Sequence, residues 1–421
     1  MFTFIHTADI HLDSPLRGLS QHEGAPEEEI RGATRKALIN IVELALERHV
    51  DFVVIAGDLY DGDWPDYSTG QFFTNQMRRL RDANILVYLI TGNHDAESKV
   101  TKSLTLPDNV TRFSTTKPES VAHPTLPVTL HGQGFANQAQ EDNLAINYPD
   151  TITDRFNIGI LHTSLAGNVD HDTYAPCSVD ELNAKSYQYW ALGHIHLHSI
   201  VQKSPPIVFP GNPQGRHIKE TDERGCYIIS VDEDLEINSI EFIATDVVRW
   251  AHPHIDITDI SSMEDVLEKT RSSIQSLLAK VNDSDRLQLT AFRITLTGAT
   301  ELHGQLHTEL KNLQADCHEI TQDLDPDALW LERVRLKTSP IYDLDTLAER
   351  DELSALVIEA LGEFDPSSAT SPSIAKLAEK LGGVAQPDLD AFFTPDTDEQ
   401  KQQLSEDVAA IVLQSITHSA K

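Results

Sequence analysis

Cysteine is scarce in this sequence: its three copies, Cys177, Cys226 and Cys317, lie far apart and form no CxxC pair. A disulfide framework and a zinc–thiolate site both need cysteines at regular or close spacing, so neither is supported. No apolar run reaches the length of a membrane span, and the first residues lack the basic and apolar regions of a signal peptide. We therefore expect a cytoplasmic protein with reduced thiols and no membrane span.

Positive charge is also scarce, because 33 Lys and Arg face 66 Asp and Glu, for a formal net charge of -33. Proteins that bind nucleic acids usually present basic surface, so this composition argues against long-range steering of DNA. Residues 341–421 hold 5 Lys and Arg against 16 Asp and Glu, a net charge of −11. Part of the acidity therefore lies in the C-terminal region, and bound divalent cations would reverse the sign of the local field.

The first hundred residues alternate apolar runs with segments of helical periodicity. The predicted strands cover residues 2–8, 51–56 and 85–90, and the predicted helices between them cover residues 27–49 and 69–82. Strands joined in this way by helices form parallel pairs with right-handed crossovers. Asp9, Asp58 and Asn93 each follow such a strand, so the fold would bring them to the same edge of a sheet.

Shorter apolar runs follow, and their spacing is typical of hairpins; they cover residues 128–131, 158–162, 189–192, 207–209, 227–231 and 237–242. With the first strands they predict an α/β fold, a four-layer αββα sandwich over residues 1–248 whose two sheets are mixed. Helices over residues 263–281 and 302–315, with strands over residues 288–296 and 329–337, then predict a small α+β domain over residues 249–340. The acidic region 341–421 is predicted to be helical but broken by prolines, and it is a candidate for docking a partner.

Potential metal ligands follow apolar strands in five separate blocks. They are Asp9-Ile10-His11, Gly57-Asp58-Leu59-Tyr60-Asp61, Gly92-Asn93-His94-Asp95, Leu161-His162-Thr163 and Gly193-His194-Ile195-His196. One such block alone is usually a solvated turn, but five in order at strand ends predict a metal site. Carboxylate, amide and imidazole donors without thiolates suit Mn²⁺, Mg²⁺ or Fe. Two such ions sharing a carboxylate could activate a water and clamp a phosphoryl group.

The five blocks resemble the ordered motif set of the calcineurin-like metallophosphoesterases: D-x-H, G-D-x-x-[DH], G-N-H-[DE], H and G-H-x-H. The resemblance implies two divalent ions, Mn²⁺ first among the candidates, with Asp58 bridging them. One ion would be held by Asp9, His11, Asp58 and His196, and the other by Asp58, Asn93, His162 and His194. His94 would act on the phosphate or the leaving oxygen as a catalytic residue, and Asp95 would orient it.

A narrower resemblance is to the SbcD/Mre11 group of DNA-repair nucleases, in the branch represented by YhaO. It rests on residues 4–13, on Ala56-Gly57-Asp58-Leu59-Tyr60-Asp61, and on the block from Pro210 to His217. Protein phosphatases would instead show G-D-x-V-D-R-G and GNHE. Asp61 stands where many nucleases of the group have His. Arg216 and His217, in the third block, are candidates for contacting a DNA phosphate, although a structural turn is an equal alternative.

The resemblance predicts a metal-dependent exonuclease for DNA repair, with endonuclease activity on single strands. It also implies that residues 249–340 cap the active site and that an SMC-like coiled-coil ATPase binds the C-terminal region. A homodimer is a candidate assembly. A phosphodiesterase or phosphatase for nucleotides or small phosphoesters is the alternative that the acidic composition favours. A regulatory subunit with a vestigial site is disfavoured because every ligand block is intact.

Overall fold

A computed structural model describes residues 1–14, 32–61, 68–97, 105–165 and 174–341. The chain divides into two compact units. Among the described residues, the first comprises those within Met1–Ala251, Leu277–Phe292 and Asp327–Glu332, and the second comprises His252–Ser276, Arg293–Pro326 and 333–341. No helix in the described part of the chain is long and apolar enough to cross a membrane. The predicted helical region beyond residue 341 lies outside the described residues.

Sixteen strands are present in the described residues. In chain order they are β1 (Phe2–Thr7), β2 (Phe52–Ala56), β3 (Leu86–Ile90), β4 (Val110–Arg112), β5 (Glu119–Ala122), β6 (Val128–Gly132), β7 (Phe156–His162), β8 (Tyr189–Gly193), β9 (Ser199–Lys203), β10 (Pro206–Phe209), β11 (Gly225–Val231), β12 (Ile237–Ala244), β13 (Val248–Ala251), β14 (His254–Asp256), β15 (Leu289–Ala299) and β16 (Leu329–Ser339). The predicted strands all form, and β4, β5, β9, β13 and β14 are additional.

Seven α-helices accompany them among the described residues. They are α1 (Ala33–Glu47), α2 (Ser68–Asp82), α3 (Asn93–Glu97), α4 (Val179–Asn183), α5 (Met263–Asn282), α6 (His303–Thr308) and α7 (Leu310–Leu324). Helix α1 buries Ala37, Leu38, Ile41 and Ala45, which recur at the spacing of one helical face. The predicted start of this helix, near residue 27, lies outside the described residues.

The first unit contains two six-stranded sheets. One has the order β12-β11-β1-β2-β3-β4, in which β1, β2, β3 and β4 are parallel, as the βαβ pattern predicts. The other has the order β5-β6-β7-β8-β10-β9. The two sheets pack face to face through apolar side chains, and the Phe4 and Phe52 rings stack there at 4.9 Å between centroids. Helices α1 and α2 cover the outer face of the first sheet, which confirms the αββα sandwich.

The second sheet is mixed, as expected, but the hairpin-like spacing was wrong about its four central strands; only the outer strands β5 and β9 pair antiparallel. Strand β7 is parallel to both β6 and β8, and β8 is parallel to β10. All seven residues of β7 are buried. A strand covered on both faces has a continuous apolar sequence without alternation, and such a run does not reveal the direction of its neighbours. The described parts of the connections between these strands contain few regular helices, so the sequence gave no sign of the crossovers that parallel strands require.

The second unit contains both helices and strands, and its bounds differ from the predicted 249–340 because residues 277–292 and 327–332 belong to the first unit. Strand β14 pairs in parallel with residues 295–297 of β15, and buried apolar side chains of α6 and α7, among them Leu306, Leu313 and Cys317, contribute to the interior. One helix was predicted over residues 302–315. The structure has two, because the backbone at Glu309 leaves the helical region with φ −104° and ψ 17°.

Candidate metal centre

The predicted ligands collect at the carboxyl ends of parallel strands in the first unit. Asp9, Asp58 and Asn93 follow β1, β2 and β3 of one sheet, while His162 ends β7 and His194 follows β8 of the other. Parallel strands present all their carboxyl ends at the same edge of a sheet, which is where α/β folds usually bind ligands. The face-to-face packing of the two sheets therefore brings five distant sequence blocks together.

The backbone of this region is unusual at several ligand positions. Asp9, His11, Asp58 and His194 all have positive φ, with values of 51°, 45°, 50° and 103°. Such conformations are uncommon for residues with a side chain and cluster at functional sites. Hydrogen bonds hold the strained loops together, since the amides of Asp9 and His11 donate to the carbonyls of Gly57 and Asp58, each at 3.0 Å.

Two glycines allow the loops to approach each other. A Cβ at Gly92 would lie 2.2 Å from Asp58 Oδ1, and a Cβ at Gly193 would lie 2.0 Å from the carbonyl oxygen of Ala56. Neither position leaves space for a side chain, so the motif glycines are required by close approach. The carboxylate of Asp58 depends directly on that space.

Asp58 lies between two sets of donor atoms. Its Oδ2 is 3.8 Å from His11 Nε2 and 3.4 Å from His162 Nε2. Its Oδ1 accepts the backbone amide of His94 at 3.0 Å. Three groups of ligand atoms lie within 4.8 Å of one another, namely Asp9, His11 and His196; His11, Asp58 and His94; and Asp9, Asp58 and His162. Asp58 thus occupies the position expected of a bridging ligand.

Hydrogen bonds to the far side of two histidine rings direct their Nε2 lone pairs inward. Nδ1 of His162 donates to the carbonyl of Ala56 at 2.9 Å, and Nδ1 of His196 lies 2.7 Å from Glu220 Oε1. Ligating histidines in proteins are usually held by such a bond at the second nitrogen. The inward Nε2 of His162 is 3.0 Å from Asn93 Oδ1, and that of His196 is 3.1 Å from His11 Nε2.

The donor set fits divalent cations because carboxylate and imidazole atoms converge here. Burial raises the pKa of Asp9 to about 6. Burial alone would lower the pKa of His162, but the Asp58 carboxylate raises it to about 9, and His162 in turn holds the pKa of Asp58 well below its usual range. The cluster therefore favours added positive charge, which a divalent ion supplies to the same oxygen and nitrogen atoms. His11 Nδ1 is buried without a hydrogen-bond partner.

His194 belongs to the cluster less directly than the other candidates. Its amide donates to both carboxylate oxygens of Asp9, at 3.1 and 3.0 Å, and its ring lies 5.3 Å from that of His162. Its side chain is outside the three groups of closely spaced ligand atoms in the described chain. The structure thus brings all seven predicted ligands to one place, with His194 at the margin.

His94 contacts a different carboxylate from the one expected. Its Nδ1 lies 2.9 Å from Asp61 Oδ1, and this hydrogen bond raises the pKa of His94. The carboxylate of Asp95 instead accepts the backbone amides of Leu59, Tyr60 and Gly92 at 2.9–3.2 Å. The expectation that Asp95 orients His94 is therefore corrected: Asp95 fixes the loops, because its side chain points back toward β2.

Arg216 also reaches this region, and a carboxylate that sequence reasoning missed holds it there. Arg216 Nη1 is 3.8 Å from Asp61 Oδ2, and Nη2 is 3.4 Å from Glu220 Oε1. His217 is about half exposed and its Nε2 lies 3.7 Å from the same Glu220 oxygen. Glu220 follows Arg216 by four residues, and this spacing is the one signal that could have suggested an ion pair between them. Nothing in the sequence indicates the contact between Glu220 and His196.

Comparisons with known proteins agree with this geometry. A family model described as calcineurin-like phosphoesterase matches residues 2–198, and one described as metallophosphoesterase YhaO, middle domain, matches residues 250–339. The Bacillus subtilis protein named uncharacterized metallophosphoesterase YhaO is 34% identical over 283 residues, which cover 66% of this chain and 69% of the relative. This chain belongs to the YhaO family of calcineurin-like metallophosphoesterases. Members of the superfamily bind two divalent metal ions.

This metallophosphoesterase is also similar, at lower identity, to archaeal proteins named DNA double-strand break repair protein Mre11. The Methanopyrus kandleri protein is 26% identical, with 53% of this chain and 51% of the relative covered. The Sulfurisphaera tokodaii protein is 22% identical, with 65% of this chain and 70% of the relative covered. The match thus spans about half the length of the first of these two relatives. The resemblance to this wider group is confirmed.

Proposed function

We propose that this metallophosphoesterase is a two-metal nuclease that hydrolyses phosphodiester bonds of DNA in repair, as an exonuclease with single-strand endonuclease activity. The observation that carries the proposal is the position of Asp58, whose Oδ2 faces His11 Nε2 on one side and His162 Nε2 on the other. A shared carboxylate at the centre of two donor sets is the arrangement that a two-metal phosphoryl-transfer site requires.

The donor sets divide between the two ions as the family motifs imply. Asp9, His11, Asp58 and His196 would hold one ion, and Asp58, Asn93, His162 and His194 would hold the other. When bound, the ion pair would supply an activated water for in-line attack and neutralise charge on the phosphate oxygens. Mn²⁺ is the proposed ion, with Mg²⁺ and Fe as alternatives, since the donors include no thiolate.

The remaining steps depend on side chains at the open edge of the cluster. His94 is 36% exposed and is held by Asp61, so its ring is accessible from solvent. The hydrogen bond to Asp61 favours the protonated ring, which suits a residue that donates a proton to the leaving oxygen. Arg216 carries the charge and the planar group that suit a phosphate oxygen. His217, which is about half exposed, is the second candidate for contacting a DNA phosphate.

The choice of DNA as substrate is supported by similarity to proteins named for double-strand break repair. The net charge of -33 favours the second candidate, a phosphodiesterase or phosphatase for nucleotides or small phosphoesters, because it gives DNA no long-range attraction. The same proposal includes a capping role for residues 249–340, an SMC-like coiled-coil ATPase as partner of the C-terminal region, a homodimer and a cytoplasmic location.

The test is hydrolysis of labelled single- and double-stranded DNA and of bis-p-nitrophenyl phosphate, with Mn²⁺, Mg²⁺ or EDTA. The wild type is compared with His94→Ala and with His254→Ala, a matched control at an exposed histidine of the second unit. Metal-dependent DNA cleavage that is lost only in His94→Ala supports the nuclease. Cleavage of the small ester without any cleavage of DNA would establish the second candidate instead.

A further inference from the structure

The loop after β10 contains a buried carboxylate, Glu220, whose contacts reach both the metal ligands and the candidate phosphate contact. Glu220 is only 6% exposed. Its Oε1 lies 2.7 Å from His196 Nδ1, and its Oε2 accepts the backbone amide of Arg216 at 2.7 Å and Asn212 Nδ2 at 2.9 Å. A buried carboxylate is costly unless its oxygens are paired, and here both are.

We propose that Glu220 is a positioning residue that couples one metal ion to substrate binding, by holding the His196 ring and the Arg216 guanidinium with the same carboxylate. The inference rests on the proposed two-metal function and extends it to a residue outside the family motifs. The two halves of the coupling have separate structural support.

The first half concerns His196. A carboxylate acceptor at Nδ1 keeps the proton on that nitrogen, so the Nε2 lone pair is left for a metal ion. That Nε2 faces His11 Nε2 at 3.1 Å, inside the group of ligand atoms formed with Asp9. Glu220 therefore acts on the ion held by these residues and leaves the ion beside His162 and Asn93 unaffected.

The second half concerns Arg216. Its Nη2 lies 3.4 Å from Glu220 Oε1, and its Nη1 lies 3.4 Å from Ser14 Oγ and 3.8 Å from Asp61 Oδ2. Its Nε is buried and has no hydrogen-bond partner. The side chain as a whole is 16% exposed and lies beside Asp61, and a planar guanidinium in that position is suited to a phosphate oxygen. Glu220 fixes both its backbone amide and its side chain.

The supporting loop is itself closely fitted to His196. Gly211 has φ 73°, and a Cβ there would lie 2.6 Å from the His196 carbonyl oxygen. Arg224 Nη1 donates to that same carbonyl and also to Asn212 Oδ1, the latter at 3.1 Å. This packing fixes the loop against the segment that carries His196, so a change at Glu220 is transmitted to both His196 and Arg216.

The main test compares Glu220→Gln with Glu223→Gln by calorimetric titration with Mn²⁺. Gln is isosteric but uncharged, and Glu223 is a matched control because it is 60% exposed and pairs only with Arg249 among the described residues. Wild type and Glu223→Gln should each bind two ions, and each ion should bind the two proteins with the same affinity. Glu220→Gln should bind one of the two ions roughly 10–100-fold more weakly and the other unchanged, which is the usual effect of losing a partner behind a metal ligand.

Kinetics with bis-p-nitrophenyl phosphate separate the effect of Glu220 on the metal ion from its effect on substrate binding through Arg216. Arg216→Lys should raise KM without changing either metal affinity, whereas Glu220→Gln should raise KM and weaken one ion. A loop carboxylate with a purely structural role would lower thermal stability and leave the metal affinities of the folded protein equal to those of wild type. That result, or a Glu220→Gln protein with normal KM, overturns the coupling.

A measurement on the wild type keeps the inference testable if Glu220→Gln does not fold. Long-range ¹H–¹⁵N spectra of histidine-labelled protein loaded with diamagnetic Mg²⁺ should show His196 protonated at Nδ1, and protonation at Nε2 would overturn the inference. Failure of the proposed function gives a different pattern: two ions bound and one weakened in Glu220→Gln, but no cleavage of DNA by any protein.

Discussion

The two sides of the metal centre differ sharply in exposure. On the enclosed side, Asp58, Asn93 and His162 are at most 3% exposed. On the open side, the side chains of His94 and Arg216 are 36% and 16% exposed. Burial suits residues that must hold a cation against water, and partial exposure suits residues that must meet a substrate. The difference predicts that substitutions on the enclosed side reduce the amount of bound metal, while those on the open side reduce the catalytic rate and leave the metal bound.

The largest effect is expected for Asp58→Asn on the enclosed side. Loss of the shared carboxylate should weaken both ions and reduce kcat/KM by at least about 10⁴-fold, because the ions supply both the nucleophile and the charge compensation. Bound metal is measured by elemental analysis after gel filtration, and activity with bis-p-nitrophenyl phosphate.

The control for this substitution is Asp154→Asn. Asp154 is exposed and, like Asp58, has a positive φ, here 60°, so the same chemical change is made in a similar backbone conformation. It should leave metal content and activity as in wild type. An Asp58→Asn protein that retains two ions would contradict the claim that residues of the enclosed side hold the metal.

A smaller effect with a different signature is expected for His94→Gln on the open side. Removing a general acid should lower kcat by roughly 10²–10³-fold while both ions remain bound, since His94 is accessible and is not required for either donor set. Metal titration and steady-state kinetics of the same preparation separate the two quantities. Loss of an ion in parallel with activity would make His94 a ligand, as its grouping with His11 and Asp58 allows.

The enclosed side was largely predictable from the sequence and the open side was not. Asp9, Asp58 and Asn93 each follow an apolar strand of one sheet and His162 ends an apolar strand of the other, and the carboxyl ends of parallel strands meet at one edge of a sheet. The position of a ligand at the end of a strand can be read from the neighbouring residues. One rule of topology then places the strand ends together. Both inferences hold regardless of the direction of the later strands, so the wrong expectation for β6 to β8 did not affect the ligand set.

The contacts of Asp61, Arg216 and Glu220 depend on which loops meet in space. Glu220 lies 24 residues from His196, and Arg216 lies 155 residues from Asp61. Neither pair follows from periodicity or from a strand end, because loop conformations such as that of Gly211 decide them. The partner of His94 was predicted wrongly for the same reason, because a contact between loops decides it. Asp95 is adjacent to His94 in sequence, but its side chain accepts the amides of Leu59 and Tyr60.

The smallest effect concerns His6, which is enclosed but has no place in the donor sets. Its ring nitrogens lie 3.0 Å from Tyr189 Oη and 3.1 Å from the Leu192 carbonyl oxygen, and burial lowers its pKa to about 3. In the unfolded chain the ordinary pKa of this histidine is 6.5, so below that pH the unfolded state takes up a proton that the folded state does not. The free energy of unfolding is therefore highest above pH 6.5 and falls as the pH falls toward 3.

Between pH 7.5 and pH 5 this single group should reduce the free energy of unfolding by about 2 kcal/mol. Urea unfolding in EDTA at the two pH values measures it, and His6→Gln should show a correspondingly smaller loss, although it is less stable at both. Metal affinity should be unchanged in the variant. Equal losses for the two proteins would show that His6 is not buried in its neutral form.

The central claim, that Asp58 bridges two ions, is tested most directly by anomalous diffraction from crystals grown with Mn²⁺. The account predicts two peaks about 3.5–4 Å apart, with Asp58 contacting both, His11 and His196 on one ion, and His162 and Asn93 on the other. A single peak, or two peaks of which only one touches Asp58, would contradict it.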